Sequence, residues 1–186
     1  MQGDVREYMS GVLIPAPPEV DAFVRRFRER NPGIAMHHVP PHITLMVPFV
    51  PPGPVGQPPN LDVLDTATAR LNGICRQVAP FEVCLDHYDM FPGGVLYLAL
   101  RDDRPVVNLY RRIQAAFPEY PPYGGQFDAF VPHMTLDVYG SDEALAVVPR
   151  PSFEPFVFTV TEILIAYGDP DIEDVWAVHA TVPLEG

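Results

Sequence analysis

One short pattern occurs twice in this chain, and it constrains the fold more than any other feature. The first copy is Pro41-His42-Ile43-Thr44-Leu45 and the second is Pro132-His133-Met134-Thr135-Leu136. The two histidines lie 91 residues apart (133 − 42), so each half of the chain owns one. Side chains alternate across a β-strand, so His-x-Thr on a strand turns an imidazole and a hydroxyl to one face. Ile43, Leu45, Met134 and Leu136 then turn to the other face, toward a core. Two such strands brought together offer a pair of imidazoles and a pair of hydroxyls to one small cleft. Imidazoles exchange protons near neutral pH, and the set suits proton movement during phosphoryl transfer.

The surrounding pattern predicts strands interleaved with helices, which points to an α+β fold rather than a doubly wound parallel sheet. Residues 8–15 read as a first strand. Pro17 and Pro18 lead into a helix through about Arg30, with Val20, Phe23, Val24 and Phe27 at helical spacing. Residues 35–50 are extended and carry the first histidine motif, and the proline-rich run 51–59 is loop. Asn60 caps a helix to about Val78. Residues 81–88 and 95–101 pair as strands around the turn Phe91-Pro92-Gly93-Gly94. Pro105 opens a helix to Phe117. Residues 118–126 are loop, 130–139 form the strand of the second motif, and a short helix follows near 141–147. Two strands, 156–167 and 174–184, close the chain, joined by Gly168-Asp169-Pro170-Asp171.

Composition narrows the chemistry. All twelve basic residues are arginine. Without lysine there is no Schiff base, no Walker A loop and no lysyl-nucleotide intermediate of an ATP-dependent ligase. The net charge of −12 disfavours a grip on long nucleic acid, which needs a basic surface. The expected substrate is small, or a single nucleic-acid end, with no duplex partner. Arg25, Arg26, Arg28 and Arg30, and Arg101, Arg104, Arg111 and Arg112, read as solvated helix faces. No apolar run is long enough for a membrane span or a leader peptide, and Cys75 and Cys84 make no disulfide framework. The expectation is a monomeric cytoplasmic protein.

The paired motif resembles the two-histidine phosphoesterases, the superfamily of the bacterial 2′-5′ RNA ligase-like proteins and RNA 2′,3′-cyclic phosphodiesterases. The resemblance covers most of the chain. It includes Gly11–Pro15 and the helix after it, His42-Ile43-Thr44-Leu45 running on to Pro48-Phe49, His133-Met134-Thr135-Leu136, and the closing pair Glu162–Ala166 and Trp176-Ala177-Val178. It implies one bilobal, pseudo-symmetric domain over residues 1–186, with two antiparallel sheets flanking a central cleft and helices outside. It implies hydrolysis of 2′,3′-cyclic phosphates or 2′-5′ linkages in a small nucleotide or an RNA end, with neither metal nor cofactor. It also implies His42 as general acid and His133 as general base, while the pseudo-symmetry leaves the reverse assignment open. Thr44 and Thr135 would steady the phosphate. Two other classes are a nucleotide-binding regulatory module with little turnover and a metal protein built on His37, His38 and His42.

Further candidates lie outside the motif. Asp137 falls by simple alternation on the face of His133 and Thr135, where a cation would better suit a phosphate. It is read as a strand-end carboxylate in solvent, and it favours a small or less charged substrate. Tyr88, Tyr97, Tyr139 and Tyr167 are candidates to stack on a base, with Tyr139 and Tyr167 taken as the substrate-binding pair. His87 and His179 read as core or edge histidines.

Overall fold

The computed structural model describes residues 6–34, 40–126, 129–170 and 176–186. The chain runs β1 (Met9–Pro15), α1 (Pro18–Arg30), β2 (His42–Met46), α2 (Leu61–Cys75), β3 (Phe81–Phe91), β4 (Val95–Leu100), α3 (Arg104–Ala116), β5 (His133–Val138), α4 (Asp142–Ala146), β6 (Phe156–Val160), β7 (Glu162–Gly168) and β8 (Ala177–Pro183). The α+β class therefore holds, and most element positions agree with the sequence pattern.

Local chemistry explains the helices. α1 begins on Pro18, whose missing N–H costs nothing at a helix start, and Glu19 and Asp21 sit in its positive first turn. Asn60 caps α2 by accepting from the Asp62 N–H at 3.2 Å. Ser141 caps α4 in the same way, through the Ala144 N–H at 3.1 Å.

The eight strands form one antiparallel sheet in the order β6-β3-β4-β5-β2-β1-β7-β8. The expectation of two sheets is thus modified: two four-stranded halves meet at β2 and β5, whose ladder holds a single pair, Ile43 with Met134. The predicted strand 156–167 also divides. β6 pairs with β3 in one half and β7 with β1 in the other, with only Thr161 between them. The sheet must curl back until its β6 edge reaches the other half. A continuous apolar alternation from 156 to 167 carries no sign of that crossing.

Each half repeats one device, strand then proline-started helix then His-x-Thr strand: β1-α1-β2 and β4-α3-β5. The halves also interlock. The loop after α1 reaches the other half's motif strand, where the Ile34 N–H donates to the Val138 carbonyl at 2.8 Å. The loop after α3 returns the contact, the Tyr123 N–H donating to the Val47 carbonyl at 2.6 Å. Val47 and Val138 both stand five residues beyond their histidines, so the crossing is symmetric. Val20, Val24 and Phe27 of α1, Leu64 and Leu71 of α2, and Leu109 and Ile113 of α3 bury one sheet face, together with Ile43, Leu45, Met134 and Leu136. No helix among the described residues is long and apolar enough to cross a membrane.

Candidate active site

The motif strands carry the same burial pattern, with the histidine and threonine half-buried and the residues between and after them buried. Ile43 and Met134 are fully buried and face each other. His42, Thr44, His133 and Thr135 therefore share the opposite face. Antiparallel continuation of the single pair sets His42 toward Thr135 and Thr44 toward His133. The imidazoles lie on one diagonal and the hydroxyls on the other.

Both imidazoles are fixed alike. His42 Nδ1 lies 2.7 Å from the Pro40 carbonyl, and His133 Nδ1 lies 2.7 Å from the Val131 carbonyl. A carbonyl only accepts, so Nδ1 carries the hydrogen in each ring and Nε2 is left for proton exchange. Burial lowers the pKa of both histidines. At His42 the Pro40 carbonyl opposes that shift, while the charges of Arg28 and His133 add to it. The charge of His133 acting on His42 is consistent with the two rings sharing one face.

A bulge follows the threonine in each motif strand. β1 pairs Leu13 with Thr44 but Val12 with Met46, and β4 pairs Tyr97 with Thr135 but Leu96 with Asp137. Leu45 and Leu136 are the extra residues, and the bulge reverses the alternation beyond them. Asp137 consequently turns into the core and is fully buried, not solvated beside His133. Its Oδ2 accepts from the Gly33 N–H at 3.0 Å and its Oδ1 from the Val138 N–H at 2.8 Å. A Cβ on Gly33 would overlap Asp137, so glycine is required by close approach.

The same reversal displaces Tyr139. Its ring packs on the core, its hydroxyl donates to the Asn31 carbonyl at 2.8 Å, and burial pushes its pKa up to about 12. Tyr167 shares the face of Ile165, on the core side, with Tyr8 edge-on at 6.3 Å. Neither tyrosine stands on the histidine face, contrary to the expected substrate-binding pair. Tyr88 also lies against the core, near Phe27 and Phe153.

Other aromatic residues stand beside His133. Tyr97 sits opposite Thr135, on the cleft face, with its ring centroid 5.0 Å from that of His133. Phe91 approaches His133 edge-on at 4.8 Å and Tyr97 at 4.4 Å. The Tyr97 phenol is pushed up to about 12 by burial and by the charge and hydrogen bond of Asp89. Phe91 belongs to a Phe-Pro-Gly-Gly turn signature, which hides that it ends a strand. Tyr123 is a second addition. Its phenol hydrogen-bonds Thr44, and burial raises its pKa. Its backbone is left-handed, with φ of 52°, where a non-glycine residue is uncommon. A proline–glycine loop gives no signal of this contact beyond the presence of tyrosine.

His87 pairs with Ala99, which pairs with His133, so it lies on the cleft face two strands away. Its Nδ1 lies 2.6 Å from Asp86, which also holds Arg101 at 2.8 Å. His179 Nε2 stands 2.9 Å from Asp65, away from the cleft. His37 and His38 lie outside the described residues. Among the described residues, no group of three or more His, Cys, Asp or Glu is placed to hold a metal ion.

Comparison with known proteins bears on the fold and on the family. The structure of E. coli LigT complexed with 3′-AMP matches with a TM-score of 0.68 at 20% identity, covering 97% of this chain and 100% of that one. LigT in apo form gives 0.66 at 21% identity, over 97% and 99%. The protein TT0787 of Thermus thermophilus gives 0.65 at 19% identity, over 96% and 98%. At such identities the likeness concerns the fold. No curated protein matches the sequence. The family model of the 2′-5′ RNA ligase superfamily matches residues 16–171, which takes in both histidine motifs, and the chain belongs to that superfamily.

Proposed function

We propose that this protein is a metal-independent phosphodiesterase that hydrolyses 2′,3′-cyclic phosphates or 2′-5′ linkages in small nucleotides or RNA ends. The observation that carries this reading is the pair of imidazoles on one face, each with Nδ1 tied to a carbonyl and Nε2 left to exchange protons. With a phosphate between the rings, the neutral imidazole removes a proton from water as its oxygen attacks phosphorus. The protonated imidazole gives its proton to the departing ribose oxygen, and one phosphorus–oxygen bond is exchanged for another. Thr44 and Thr135 donate to non-bridging oxygens as their charge grows. No covalent intermediate is required. Family resemblance makes His42 the acid and His133 the base. The charge of Arg28 resists protonation of His42 in the free protein. E. coli LigT has been solved with 3′-AMP, phosphate, ATP and NADP⁺, which supports a small nucleotide as the ligand class.

The test is hydrolysis of 2′,3′-cyclic nucleotides with excess chelator present. Turnover to a ring-opened monophosphate is expected. Saturable binding without turnover would move the reading to a regulatory module. Turnover abolished by chelator and restored by a divalent ion would move it to a metallohydrolase.

A further inference from the structure

Arg28 belongs to an arginine-rich helix, yet it is buried, with only 4% of its surface exposed. It lies on the core side of the motif strand β5. Its Nε donates to the Leu136 carbonyl at 2.6 Å, and its Nη2 reaches the Thr135 carbonyl at 3.2 Å. Those two carbonyls belong to the bulge that separates Thr135 from Asp137. The Asp137 charge partly offsets that of Arg28, while Arg25 and Asp21 act on it from its own helix. An apolar side chain would fill this space without the cost of burying a charge. What a neutral side chain could not supply is a rigid fork of donors and a fixed positive charge.

We propose that Arg28 is a positioning residue of the phosphate site: it clamps the β5 bulge that aims Thr135, and it sets a fixed positive field behind the phosphate position. The phosphate part of this rests on the phosphodiesterase reading. A buried charge is screened little by salt, so its field persists at the site. The groups acting on His42 are Arg28 and His133 by charge and the Pro40 carbonyl through Nδ1, with the Tyr123 phenol beside it on Thr44. Loss of the Arg28 charge therefore makes His42 easier to protonate.

The experiment combines steady-state kinetics on 2′,3′-cyclic nucleotides with NMR titration of the histidine ring protons, in the full chain and in Arg28→Met and Arg28→Lys. In folded Arg28→Met, His42 should titrate at higher pH than in the parent. Turnover should fall on the order of 10²-fold, the scale of a misplaced contact group. Arg28→Lys keeps the charge and loses the fork, so His42 should titrate as before while turnover still falls. An unmoved His42 titration in folded Arg28→Met would overturn the field. Should Arg28→Met not fold, full turnover in Arg28→Lys would overturn the clamp. The titration needs no turnover, so a protein inactive on cyclic nucleotides would defeat the phosphodiesterase reading and leave this test standing.

Discussion

The two halves of the sheet share a backbone device but not a wall. Each offers a His-x-Thr strand with Nδ1 held by a carbonyl two residues upstream and a bulge at the leucine after the threonine. Around that device the surroundings diverge. Thr44 faces Leu13 across the β1 ladder and is touched by the Tyr123 phenol. Thr135 faces Tyr97, and His133 lies between Tyr97 and Phe91. Arg28 grips the second motif strand from behind. The comparison teaches that symmetry is kept in the backbone of the motif strands and lost in the side chains around them.

The largest expected effect breaks the shared part. His42→Ala or His133→Ala should each cut turnover by about 10²–10⁴-fold, the usual contribution of a general acid or base. The double variant should lose little more than the worse single one, because the pair acts as a unit. A phosphodiester with a p-nitrophenyl leaving group needs no proton on departure. It should restore activity to the variant lacking the acid and not to the one lacking the base, which decides the roles of the two rings.

Next come the threonines, where the halves should differ. Thr44→Ala and Thr135→Ala should each cost on the order of 1–3 kcal/mol of transition-state stabilisation, the worth of a hydrogen bond to a charged group. Tyr123→Phe should lower turnover in the parent and have little further effect in Thr44→Ala. It should remain additive with Thr135→Ala. Equal coupling to both threonines in a double-mutant cycle would mean that Tyr123 does not belong to one half.

The smallest effect is on stability. Burial holds both histidines below their ordinary value. The unfolded chain therefore binds more protons than the folded one once pH falls past about 6.5. Stability should be complete above that value and be lost on acidification through the lowered folded values. Urea unfolding at neutral and acidic pH should show this loss shrinking in His42→Ala and His133→Ala. The profile of kcat/KM should likewise be a bell displaced to the acid side of about 6.5, its limbs belonging to the coupled pair.

Much of this was legible in the sequence, for physical reasons. The repeated His-x-Thr, the helix periodicities and caps such as Asn60 are local signals, and they placed both histidines and both threonines on one face. Three features were not legible. The bulges at Leu45 and Leu136 reverse an alternation that looks unbroken, which misplaced Asp137 and Tyr139. The crossing at Thr161 lies within one apolar alternation that serves two halves of the sheet. The burial of Arg28 depends on carbonyls more than 100 residues away along the chain. A run of arginines on a helix gives no notice of which one turns inward.

The central claim is that one phosphate is held by imidazoles from both halves at once. Its most direct test is NMR titration of the full chain with 3′-AMP, following the ring protons of His42 and His133. The account predicts that both resonances move together along one saturating curve at one nucleotide per chain, and that both rings become easier to protonate. Movement of one ring alone, or of the two along different binding curves, would contradict it.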